Sequence, residues 1–113
     1  MTFSAGRESD VSVFTMSGEL TVANRQELKR AVLDAVANGD RKVLIDFEQT
    51  SYIDSSGLGV LVSLSKRIRE AGGELRLATL NDDLGTLFEL TRLDTLFSIT
   101  ESRSAGLADL AKL

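Results

Sequence analysis

The feature that most constrains this chain is its regular alternation of β-like and helix-like segments, uninterrupted by a single proline. Phe3 starts a short first strand. Val11, Val13 and Phe14 belong to a second β-rich run ending near Ser17-Gly18, and the Gly6 region between them is the expected hairpin turn. Leu28, Ala31, Val32, Ala35 and Val36 then recur at helical spacing, predicting a helix from about Asn24 to Ala37. Asn24 with Glu27 fits a capping box, with Thr21 as a rival cap. Lys42 to Phe47 contains Val43, Leu44 and Ile45 in succession, as in a strand buried on both faces. A polar stretch, Glu48 to Ser51, separates that strand from Tyr52-Ile53.

A second helix follows Asp54 and runs to about Ala71, with Leu58, Leu61, Leu64 and Ile68 on one side. Gly72-Gly73 stops it. Leu75 to Leu80 reads as a strand. Asn81 caps a third helix whose first turn carries Asp82 and Asp83, and whose inner stripe is Leu84, Leu87, Phe88 and Thr91. Leu96 to Thr100 is a last strand, and Ser102 caps a final helix with Leu107, Leu110 and Ala111. Strands alternating with helices imply crossover connections and a mostly parallel sheet. The opening hairpin makes that sheet mixed. One α/β domain over residues 1–113 is expected.

Composition narrows the chemistry. With neither Cys nor His among 113 residues, thiolate chemistry, Cys/His zinc sites and Ser-His-Asp catalysis are excluded. No Gly-rich segment has phosphate-loop spacing, and no cofactor or metal is expected. The net charge of −4 argues against a nucleic-acid face. No segment has the length of a membrane span, and the polar start carries no signal-peptide core, so the expected compartment is the cytoplasm. Asp46, near a strand end, could be a receiver-type phosphoacceptor. It lacks the acidic pair and later lysine such a site needs, so a solvated or loop-capping carboxylate is expected.

The segment Ile53-Asp54-Ser55-Ser56-Gly57-Leu58-Gly59 stands apart. Two hydroxyls and a carboxylate sit where a loop enters a helix. Capping alone accounts for Asp or Ser there, and glycine allows close approach. The free amides of a helix start also welcome phosphate. The residues by themselves leave both readings open.

This segment resembles the signature of the STAS family, specifically the bacterial anti-sigma factor antagonists. The resemblance extends over Ser17-Gly18-Glu19-Leu20, Val43 to Phe47, Gly72-Gly73-Glu74-Leu75, Leu87-Phe88-Glu89-Leu90-Thr91-Arg92-Leu93 and Leu96-Phe97-Ser98-Ile99, or about residues 10 to 101. It implies a five-stranded mixed sheet with about four helices, packed on one side. It implies a non-enzymatic role: binding an anti-sigma factor that is a serine kinase, and so freeing a sigma factor. The kinase would phosphorylate Ser55, and a PP2C-type phosphatase would reverse it. The implied partner surface comprises Thr21, Asn24, Asp54, Ser55, Ser56, Gly57, Leu58 and Val62. Leu58 and Val62 would give apolar contact, although core packing is an equal reading for Leu58. Thr21 departs from the family, where Asp commonly follows the strand end; it keeps a hydroxyl and loses a charge. The alternative within the same fold is a scaffold or regulatory subunit of a stressosome, lipid-transport or transporter complex.

Overall fold

Two strands, β1 (Phe3–Glu8) and β2 (Val11–Leu20), open the fold as an antiparallel hairpin in the computed structural model, which describes residues 3–113. The turn is not at Gly6, which pairs with Val13 inside the ladder. Ser9 makes it instead, in the left-handed region at φ 57°. Helix α1 (Arg25–Ala37) leads to β3 (Lys42–Ile53), and α2 (Ser55–Glu70) to β4 (Glu74–Ala78). Then follow α3 (Asp82–Leu90), a 3-10 turn at Leu93–Thr95, β5 (Ser98–Thr100) and α4 (Arg103–Ala111). The sheet order is β1-β2-β3-β4-β5, with every pairing after the first hairpin parallel.

β3 does not stop at Phe47; it continues through the polar stretch to Ile53. The reason is its partner. β2 shifts register between Thr15 and Ser17 and again between Gly18 and Glu19, irregularities that bend a strand without ending its pairing. Polar side chains reinforce the junction. Thr50 Oγ1 donates to the Met16 carbonyl at 3.0 Å, and Ser51 Oγ to the Gly18 carbonyl at 3.1 Å.

Alternation along the central strands makes both sheet faces apolar. Phe14, Ile45, Phe47 and Leu77 face the larger core with Leu28 and Val32 of α1, Leu61, Leu64 and Ile68 of α2, and Leu84 and Phe88 of α3. Val11, Val13, Leu44 and Ala78 turn to the other face, where Leu110 of α4 covers them. The helices therefore lie on both sides, three against one, rather than on one side. A sheet with apolar residues on both faces must be covered on both.

Asp40, between α1 and β3, binds the hairpin: the Arg7 guanidinium and the Ser12 hydroxyl donate to its carboxylate. Those partners hold its carboxyl below the usual carboxylate range, Arg7 foremost.

Candidate functional site

The end of β3 delivers the chain directly into α2. Asp54 is the N-cap; its Oδ1 accepts from the Gly57 amide at 2.7 Å, satisfying one of the helix's free donors. Its Oδ2 accepts from the Val22 amide at 3.1 Å, and its own amide donates to the Leu20 carbonyl at 3.1 Å. One carboxylate thus clamps the β2–α1 loop to the mouth of α2. Gly57 is required for the closeness of that contact. A Cβ there would lie 2.5 Å from the Leu20 carbonyl oxygen and 2.8 Å from Ile53 Cγ2.

Ser55 is the first residue of α2 and is exposed; Ser56 is half-buried. Gly57 N–H is taken by Asp54 Oδ1, and Leu58 N–H by the Asp54 carbonyl at 3.0 Å. The amides of Ser55 and Ser56 precede any intrahelical bond and point to the helix mouth. Four and seven residues on from Ser55, Gly59 and Val62 are also exposed, which places all three on one helical stripe.

The expected site residues separate into two groups. Asp54, Ser55, Ser56, Gly57 and Val62 meet at the helix mouth and along its outer stripe. Thr21 and Asn24 spend their polar atoms on the loop itself. Asn24 Oδ1 accepts from the Thr21 amide at 2.9 Å, Asn24 Nδ2 donates to the Glu19 carbonyl at 2.7 Å, and Thr21 Oγ1 accepts from the Ala23 amide at 3.2 Å. Asn24 therefore occupies the N-cap position of α1 without a side-chain cap bond. The expected capping box does not form, because its carbonyl-oxygen end is already used by Thr21. Leu58 is half-buried and packs against the main core, which favours its packing reading.

Two exposed apolar residues were not among the sequence expectations. Val22, 65% exposed, sits in the loop clamped by Asp54, and Tyr52, 51% exposed, lies two residues before Asp54. The available signal was local: an apolar residue in a polar loop, and an aromatic at a strand end. Asp46, 2% exposed, lies inside β3 rather than at a strand end and is not solvated; it accepts from the Glu48 amide of the same strand at 3.0 Å. Among the described residues, no group of three or more acidic side chains could hold a metal ion, and no helix is long and apolar enough to cross a membrane.

The family model for the STAS domain matches residues 3–105. The anti-sigma-B factor antagonist of Staphylococcus aureus is 34% identical over 86 residues, covering 76% of this chain and 80% of that one. A Thermotoga maritima protein, described as a candidate anti-sigma factor antagonist, has a TM-score of 0.90 at 27% identity, covering 96% of this chain and 94% of its own. The Bacillus cell fate determinant SpoIIAA in its phosphorylated form shares the fold at a TM-score of 0.76 and 17% identity, over 95% and 97% of the two chains. The chain belongs to the STAS domain family.

Proposed function

We propose that this protein is a cytoplasmic anti-sigma factor antagonist whose docking is switched off by phosphorylation of Ser55. The observation that carries the proposal is the exposed Ser55 hydroxyl at the first position of α2, flanked by the Asp54 clamp and by exposed Val22 and Val62. Relatives named as anti-sigma factor antagonists support it. In this reading the unphosphorylated surface binds an anti-sigma factor serine kinase and so releases a sigma factor. The kinase moves the γ-phosphoryl of ATP onto Ser55 Oγ, leaving ADP and a proton. A PP2C-type phosphatase hydrolyses the ester. The chain is ligand and substrate, not catalyst.

The physics needs no refolding. The phosphate brings about −1.5 to −2 charges. The free amides of Ser55 and Ser56 and the helix dipole tolerate it within the chain. A partner surface fitted to a neutral hydroxyl beside a carboxylate does not. Burying the dianion there without a cation costs several kcal/mol, and a loss of only about 3 kcal/mol lowers affinity more than a hundredfold.

The test is a pull-down from native cytoplasm with and without ATP, followed by phosphosite mapping. Ser55→Ala should retain the partner and escape phosphorylation, whereas Ser55→Asp should release it. Equal capture by wild type and Ser55→Asp sinks the switch. Phosphate found only on Ser56 moves the site by one residue.

A further inference from the structure

We propose that the cleft between α3, the 3-10 turn and β5 is a second docking site, which receives a basic segment of a partner protein bearing an Arg or Lys beside an apolar side chain. The cleft is lined by Leu80, Gly85, Phe88 and Ile99 at its apolar floor and by Glu89, Asp94 and Glu101 at its rim. None of those three carboxylates enters an ion pair among the described residues, and the lining holds no Lys or Arg. Residues 82–101 carry five carboxylates (Asp82, Asp83, Glu89, Asp94 and Glu101) against one cation, Arg92.

Gly85 adds an independent reason. It lies inside α3, where glycine weakens a helix by about 1 kcal/mol relative to alanine. The fold does not require it: an added Cβ would meet nothing within 4 Å. Its effect is to keep the cleft deep. The volume, about 260 Å³, falls below the range of about 300–1,000 Å³ usual for cofactor-sized ligands. It suits one or two side chains.

Charge selects the occupant. The overall −4 repels a second copy of this chain at long range and draws in a cationic segment. A free polyamine would neutralise the rim and leave the floor wet, so an apolar neighbour to the cation is part of the match. The cleft sits where β4 and β5 end, at the carboxyl edge of the parallel strands, where ligand sites of α/β sheets gather. It shares no residue with the Ser55 mouth, so this inference stands apart from the proposed switch.

The experiment titrates the isotope-labelled full chain with a synthetic peptide of alternating arginine and leucine, read by amide chemical shifts. Saturable shifts should centre on Gly85, Glu89, Ile99 and Glu101. The same peptide with glutamate for arginine, and spermidine, should each bind at least roughly tenfold more weakly, a difference of about 1.4 kcal/mol. Glu89→Lys with Asp94→Lys should weaken binding by a similar factor. Gly85→Leu should abolish the shifts, while Gly85→Ala should raise Tm. Ser55→Asp should leave the titration unchanged. Should Gly85→Leu fail to fold, the pair Glu89→Gln and Asp94→Asn decides the matter by weakening binding or not. Dispersed shifts, equal binding of the control peptide or spermidine, or indifference to the cleft variants would overturn the proposal. So would sedimentation showing self-association that the charge reversals abolish.

Discussion

The two faces of the sheet are held by different physics. The face under α1, α2 and α3 is a large apolar core that includes Phe47, Leu61, Ile68 and Phe88. The face under α4 has a small apolar set around Leu44 and Leu110, supplemented by polar tethers. Arg76, with its side chain 11% exposed, donates to Asp109 of α4 and to Glu74. Arg103 reaches Thr15 Oγ1 at 3.2 Å and Glu8 at 3.4 Å, and Lys42 reaches the Leu113 carbonyl at 3.3 Å. The contrast bears on where the proposed switch could sit. A phosphate at the start of α2 perturbs a helix anchored by dense apolar packing, so surface charge can change without the fold following. The same charge on α4 would act on a helix whose anchoring is itself electrostatic.

The sharpest way to break this contrast is to remove one anchor from each face. Phe47→Ala deletes a fully buried ring from the main core and should cost about 3–5 kcal/mol, a large share of the stability of an ordinary domain. Leu110→Ala, on the α4 face, should fall near the low end for such truncations, about 2 kcal/mol, with the far-UV circular dichroism largely kept. Denaturant titration of both variants checks the ordering; equal losses would show that the two faces are alike.

Two glycines sharpen it further. Gly57→Ala drives a methyl against the Leu20 backbone carbonyl, whereas Gly106→Ala meets Leu44 Cδ1 at 2.7 Å and Thr100 Oγ1 at 3.0 Å. The backbone cannot step aside, so Gly57→Ala should cost about 1–3 kcal/mol and disturb the Val22 loop. A Leu44 methyl can rotate, and helix propensity returns about 1 kcal/mol, so Gly106→Ala should lie within about 1 kcal/mol of wild type. Thermal melts measure both, and amide shifts at Val22 report whether the clamp has moved.

The same contrast governs what could be read from the residues alone. Apolar periodicity is local, so the strands and helices were legible, as were the caps at Asn81 and Ser102, whose side chains accept from Leu84 and Ala105. Long-range choices were not. β3 continues past Phe47 because β2 supplies partners for its polar residues. Asn24 forgoes its helix because the loop claims its side chain. The hairpin turns at Ser9, whose positive φ no glycine announces. The side taken by α4 depends on which sheet face remains uncovered. At the site, the Asp54 cap was legible from helix-entry chemistry, whereas Ser55 was singled out by the family resemblance. Val22 and Tyr52 were not legible, because exposure is set by neighbours distant in sequence.

The smallest expected effect is also the most selective. Asp109, Asp10 and Asp40 all have carboxyl groups held below the usual carboxylate range. The causes, largest first, are the Arg76 hydrogen bond for Asp109, the Lys42 hydrogen bond for Asp10 and the Arg7 hydrogen bond for Asp40. A carboxyl with a depressed folded-state pKa contributes stability above its ordinary value of about 3.9, and that stability is lost as pH falls through the folded value. Asp109 is on α4, and Lys42, the partner of Asp10, also bonds the carbonyl of Leu113 just beyond α4. Acidification from about pH 5 down past the ordinary carboxylate value of about 3.9 should therefore loosen α4 before α2, whose packing against the sheet is apolar. Native-state hydrogen exchange reads this directly: protection of the α4 amides should fall with pH ahead of that of Leu61, Leu64 and Ile68. Asp109→Asn should remove much of the difference by weakening α4 at neutral pH as well. Simultaneous loss of protection in both helices would mean that the polar tethers do not set the stability of α4.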